Sequence, residues 1–144
     1  MSDQWRSRIV RHGKRSPEKL QANPKNYRTH PPRQREALAA TLDEIGWVQD
    51  VVVNERTGVI VDGHLRVELA VERGEKTVPV VYVDLSPEEE ALVLATLDPL
   101  AAMATVNDGK LEALLAEINV TDDALTALLA DLAKNAGIAQ EVEG

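Results

Sequence analysis

The chain has 144 residues, 16 Lys and Arg against 24 Asp and Glu, a net charge of −8 and no cysteine. That length suits one domain, or one domain with a small helical appendage. Without cysteine there is no disulfide scaffold, thiolate zinc site or cysteine nucleophile, which fits a cytoplasmic setting. No apolar run approaches the ~20 residues of a membrane span, and the amino end lacks the apolar stretch of a signal peptide.

The charge is divided unevenly. Residues 1–33 carry nine Lys and Arg against Asp3 and Glu18, a net of +7, while residues 34–144 carry a net of −15. Such a split predicts a basic contact arm on an acidic body. The arm holds Pro17, Pro24, Pro31 and Pro32 and no sustained period, so it reads as extended, with one short strand over residues 8–11. From Arg33 the spacing of Leu38, Leu42 and Ile45 predicts a helix, with Gly46 as its stop and Trp47 plugging the core. Val51-Val52-Val53 and Val59-Ile60-Val61 are β-branched runs joined by a short loop ending in Gly58, a hairpin pattern.

Asp62-Gly63 leads into a helix over residues 64–73, with Leu65, Leu69 and Ala70 inward and Gly74 as its end. Residues 78–83 form an apolar strand whose Pro79 suggests an edge. Ser86-Pro87-Glu88-Glu89 is a helix-start signature: Ser86 caps, Pro87 takes N1 and Glu89 can close a capping box. This helix is expected to run to Leu97, with Asp98-Pro99 breaking it and Glu88-Glu89-Glu90 forming a solvated first turn. Two further helices are expected over residues 108–118 and 121–136, the second capped by Thr121, stopped by Gly137 and faced with Leu125, Leu128, Leu129 and Leu132. The pattern is that of an α/β (α+β) fold, a small mixed sheet with packed helices and a C-terminal helical extension. Its expected organisation is an arm over 1–18, a domain over 19–106 and the extension over 107–144.

The segment Val61-Asp62-Gly63-His64-Leu65-Arg66 carries the most chemistry. A helix start offers free backbone N–H groups and the positive end of the macrodipole, which suits phosphate. Gly63 would let a phosphate approach closely, Arg66 could return to the same anion, and His64 could donate to it or carry a proton. The same residues also suit an ordinary strand–turn–helix joint, with Asp62 as N-cap, and on residue type alone that is the commoner case. Asn23-Pro24-Lys25-Asn26-Tyr27-Arg28 is dense in polar groups, fit for a ligand or a plain surface loop. Asp98, beside the helix break at Pro99, is a candidate for Mg²⁺. No histidine–carboxylate cluster has metal-ligand spacing, and no Walker loop, nucleophile elbow or Rossmann fingerprint is present.

Taken in order, Asn23-Pro24-Lys25-Asn26-Tyr27-Arg28, Ile45-Gly46-Trp47-Val48-Gln49, Val51-Val52-Val53-Asn54, Val61-Asp62-Gly63-His64-Leu65-Arg66 and Val78-Pro79-Val80-Val81-Tyr82-Val83 resemble the N-terminal domain of the ParB/sulfiredoxin superfamily, also called the ParB-like nuclease domain. The similarity runs over residues 19–103. It implies a nucleoside triphosphate (CTP or ATP, with Mg²⁺) whose phosphates lie on a Gly-x-x-Arg loop, here Gly63, His64, Leu65 and Arg66. By position, Asn23, Pro24, Arg28 and Gln49 would line the pocket and Asp98 would fall where partitioning proteins hold Mg²⁺. His64 stands where sulfiredoxin needs a cysteine, so sulfinic acid repair is excluded. Pro99 replaces an asparagine of the partitioning proteins and no arginine follows, which speaks against their CTP hydrolysis. The carboxy end, with Leu-rich helices and then Gln140-Glu141-Val142-Glu143-Gly144, is more like the ParB-like segment ahead of phage and bacterial DNA-modification methyltransferases, either fused or as a partner.

Three readings follow. In the first the chain is a nucleotide-binding module in DNA transactions, with Arg6, Arg8, Arg11, Lys14 and Arg15 on the DNA backbone. In the second it is an NTPase, kinase-like phosphotransferase or nuclease with Asp62 or His64 in acid–base roles. In the third it is a non-catalytic interaction or homodimerisation domain using its leucine-faced tail.

Overall fold

The protein is described by a computed structural model in which residues 4–135 are placed. The expected Gly137 stop and the segment 140–144 lie outside the described residues. Two compact units emerge, one from the residues up to His30 together with Trp47–Ala102, the other from Pro31–Gly46 and the residues from Met103 on.

The first unit is built on a four-stranded mixed sheet. Its strands are β1 (Ile9–Arg15), β2 (Val51–Asn54), β3 (Ile60–Asp62) and β4 (Val78–Val83), in the order β1-β4-β2-β3. β2 and β3 form the expected antiparallel hairpin, closed by Gly58 N–H on Asn54 O at 2.7 Å. Helix α2 (His64–Arg73) then carries the chain to β4, which runs parallel to β2. Val51, Val53, Ile60, Val78, Val80 and Tyr82 from the sheet pack with Val67 and Ala70 of α2, and Leu20 and Trp47 close the cluster from partly buried positions. This alternation puts one sheet face against α2 and leaves the strand ends free for polar groups.

Three local expectations are corrected. The basic segment is not a free arm: residues 9–15 are an edge strand antiparallel to β4. Ile9 and Val10 favour extended backbone, and the charges around them suit an edge that must not recruit another chain. β4 is an interior strand despite Pro79. Its parallel pairing with β2 begins at Val80, so the proline lies ahead of that ladder. Asp98-Pro99 does not break a helix either, because α3 runs from Pro87 to Ala102 with Pro99 inside its last turn. There the proline cannot donate to the Ala95 carbonyl, and the helix continues for the remaining residues of that turn.

The capping box at the start of α3 forms as expected: Ser86 N–H donates to Glu89 Oε1 at 2.8 Å and Glu89 N–H to Ser86 Oγ at 3.2 Å. Glu89 also takes both terminal nitrogens of Arg8, at 2.7 and 2.9 Å. The Arg8 guanidinium, with help from Ser86, holds the Glu89 carboxyl down to about 2.

In the second unit, α1 (Pro32–Glu44) packs on α5 (Asp123–Asn135), with α4 (Asp108–Glu117) also against α5. Ala37, Ala40, Leu125 and Ala133 are its buried residues, while Ile45, Leu128 and Leu132, expected on inner faces, are exposed. Leu125 takes the inner place that its spacing suggested, and Ala37, Ala40 and Ala133 supply the other buried positions. Asp122, not Thr121, caps α5 by accepting Leu125 N–H at 3.0 Å. Arg33 and Asp131 pair at 2.6 Å. Among the described residues no helix is long and apolar enough to cross a membrane.

Candidate functional site

β3 ends at Asp62 and α2 starts at His64, so Gly63 must turn the chain within one residue. It does so at φ +103°, in the left-handed region, and no side chain caps the helix. Asp62 is therefore not the N-cap. The first N–H groups of α2 are the unpaired donors of any helix start. Leu65 is buried in the core, so only its backbone can serve a ligand there.

Arg66 folds back over this turn. A Cβ on Gly63 would lie 3.0 Å from Arg66 Nη2 and 3.4 Å from Val51 Cα, so the space is already filled by the guanidinium. Arg66 is 15% exposed, and its contacts are long: 3.5 Å to Asp62 Oδ2, 3.3 Å to Asp50 O and 3.4 Å to Gln49 Oε1. Its Nε is buried with no hydrogen-bond partner among the described residues. The result is a recessed cation with weak partners beside a helix N-terminus, and one orphaned donor of this kind costs about 1–3 kcal/mol.

His64 faces the other way. It is 9% exposed, and its Nε2 accepts the Asn23 backbone N–H at 3.1 Å. An accepting Nε2 requires the neutral ring with its proton on Nδ1. Burial pushes its pKa below the usual value against the opposing charges of Asp62 and Glu68. Any proton carried by His64 would have to pass through Nδ1. His64 is thus a buried tie between α2 and the Asn23 segment.

Asn23 belongs to a polar core that the residue pattern did not reveal. Glu90, expected on a solvated first turn, is 5% exposed. It accepts from Asn23 Nδ2 at 3.1 Å, Asn54 Nδ2 at 2.8 Å and Thr57 Oγ1 at 2.6 Å. Burial alone would raise its pKa, but the bonds from Thr57, Asn54 and Asn23 and the charge of Lys25 outweigh it and hold the group below its usual value. Asn54 also bonds both ways with the backbone of Leu85, at 3.0 and 3.1 Å. The signal available in the sequence was the helical period, which sets Glu90 on the same face as Val93 and Leu94.

The remaining expected residues separate into pairs. Arg28 Nε meets Asp98 Oδ2 at 2.6 Å, and Arg28 Nη2 donates to Tyr27 Oη at 3.1 Å. The Pro24 turn is fixed by Lys25 N–H on Asn23 Oδ1 at 2.9 Å. Asp98 would have to release Arg28 before it could serve a cation, and among the described residues no group of three His, Asp or Glu could hold a metal. Of the five basic residues expected on DNA, Arg8 and Arg11 are engaged in ion pairs with Glu89 and Glu55. Arg6, Lys14 and Arg15 form none among the described residues.

No family model matches the chain, and no curated protein does. Solved structures do resemble it. One is the C-terminally truncated chromosome-partitioning protein ParB from Caulobacter crescentus complexed with CTP-γ-S, 22% identical with a TM-score of 0.60, covering 83% of this chain and 71% of that one. The same protein complexed to the centromeric parS site is 20% identical, with a TM-score of 0.52 over 87% of this chain and 68% of that one. The pNOB8-like ParB N-domain is 18% identical with a TM-score of 0.54, over 93% of this chain and 53% of that one. The chain therefore has the fold of ParB N-domains.

Proposed function

We propose that the chain is a ParB-like module that binds a nucleoside triphosphate at the start of α2 and acts on DNA. The observation that carries this is Arg66, folded over Gly63 with long contacts and a buried Nε that has no partner among the described residues. A triphosphate at this turn would meet the free N–H groups of His64, Leu65 and Arg66 and the positive helix end, and would give the guanidinium strong partners. Arg28, Gln49 and the Asn23–Pro24 turn are the proposed wall of the pocket. The ParB neighbours complexed with CTP-γ-S and with parS support a nucleotide and a DNA role for the fold. CTP is accordingly the first nucleotide to test, and ATP the second. On the DNA side, Arg6 and Lys14 are the proposed backbone contacts, since neither forms an ion pair among the described residues. Such contacts give salt-dependent, sequence-tolerant binding.

The test is a thermal-shift titration with CTP, ATP, GTP and ADP, each with Mg²⁺. A ligand that binds only the folded chain raises its stability, by about 2.7 kcal/mol at a hundred times Kd. A shift with at least one triphosphate that vanishes in Arg66→Ala supports the reading. Equal shifts in both proteins, or none in either, would sink it.

A further inference from the structure

A second basic recess lies at the other end of the β2–β3 hairpin from Gly63. Gly63 sits against Val51 at the start of β2, whereas the recess is formed around Glu55, Thr57 and Gly58, where the hairpin turns. It has a volume of about 370 Å³ and is lined by Arg11, Arg15 and Lys19 against one carboxylate, Glu55. Arg11 and Arg15 share one face of β1 because strand side chains alternate, and Lys19 closes the short 3-10 turn of Pro17–Lys19 that follows.

Arg11 is preorganised. Its guanidinium lies 3.8 Å above the centre of the Tyr82 ring, and its Nε donates to Glu55 Oε1 at 2.8 Å. That arrangement orients the plane of the fork and leaves Nη1 and Nη2 without a hydrogen bond among the described residues. Arg15 and Lys19 have no ion pair or side-chain hydrogen bond among the described residues either. Three cations and one carboxylate thus leave a charge of +2 around a concave site of ligand size.

We propose that this recess binds the terminal phosphate of a small phosphorylated molecule, separately from the nucleotide site. A phosphomonoester carries close to two negative charges at neutral pH, which matches the excess. A duplex offers singly charged phosphodiesters on a convex rod, whereas the recess is concave and of ligand size. The compact dianion is the better fit to a hollow.

The test is calorimetric titration of the full chain at low salt with ribose 5-phosphate, which presents the phosphate without a base or triphosphate. Ribose serves as the blank and a 20-base-pair duplex as the competitor. Saturable one-to-one binding of ribose 5-phosphate and none of ribose is expected. The double variant Arg15→Ala/Lys19→Ala should weaken it at least tenfold with an unchanged melting temperature, since both side chains are exposed. Arg11→Lys, which keeps the charge but loses the planar fork, should weaken it as well. Absence of binding, or binding unchanged by the double variant, overturns the proposal. So does loss of binding in Arg66→Ala, which would assign the phosphate to the α2 site, or displacement by the duplex in the wild type, which would assign the recess to DNA.

Discussion

The backbone N–H of Asn23 donates to Nε2 of His64, joining the chain before the proline turn to the first residue of α2. Once His64 is protonated, Nε2 carries a hydrogen and cannot accept that bond. Burial holds the folded-state pKa below the unfolded value of about 6.5. The folded state then binds fewer protons, so stability is present above pH 6.5 and is lost as pH falls through the folded pKa. A falling denaturation midpoint between pH 7.5 and 5.5 is expected, with the Asn23 amide resonance moving in step. His64→Gln, whose Oε1 can take the place of Nε2, should flatten the profile over that interval. A wild-type midpoint independent of pH there would refute the role of this bond.

Glu90 makes a similar case through charge. Its carboxylate gathers donors from Asn23, Asn54 and Thr57, which sit on three separate segments. Glu90→Ala leaves all three donors facing a void, a loss of about 3 kcal/mol or more. Glu90→Gln keeps the volume but points an amide donor at other donors, so it should also destabilise, though by less. Thermal unfolding of the two variants gives the order directly. A melting point equal to wild type in Glu90→Ala would show that the cluster contributes nothing.

The Arg8–Glu89 pair ties the approach to β1 to the start of α3. With Glu89 held down to about 2, its contribution is present above pH 4.5 and is lost as pH falls through about 2. Arg8→Ala should flatten that part of the acid-unfolding curve. Identical curves for the two proteins between pH 4.5 and 2 would dismiss the pair as a source of acid sensitivity.

How far the residues alone disclosed this molecule depends on which kind of information each feature uses. The hairpin, α2, β4 and the α3 capping box were legible because each is set by local pattern: β-branched runs, a glycine, a Ser-Pro-Glu-Glu start. The turn at Gly63 and the return of Arg66 were legible too, since both lie within one helical turn. What stayed hidden needs partners remote in sequence. The short strand expected over residues 8–11 is there, but its extension to Arg15 depends on the edge that β4 offers from far along the chain. Glu90 is buried because Asn23, Asn54 and Thr57 arrive from elsewhere; the helical period sets it on the face of Val93 and Leu94 but does not name these partners. The acceptor role of His64 was hidden because it depends on an amide 41 residues earlier. Pro99 lies within the last turn of α3, so the helix continues past the Leu97 that the proline suggested as its end.

The contact between Gly63 and Arg66 lends itself to a double-mutant cycle. Gly63→Ala faces two separate costs: a φ of +103° that alanine resists, and a Cβ only 3.0 Å from Arg66 Nη2. The first persists whatever stands at position 66, while the second disappears when the guanidinium is removed. Gly63→Ala should therefore cost about 2 kcal/mol in the wild type and measurably less in an Arg66→Ala background. Arg66→Ala alone should be mild, because it deletes long contacts and an orphaned buried Nε together. A coupling of about 0.5 kcal/mol or more in urea unfolding is expected for such neighbours. Strict additivity would mean that Arg66 does not occupy the space above Gly63 in solution, and the anion site built on that arrangement would fall with it.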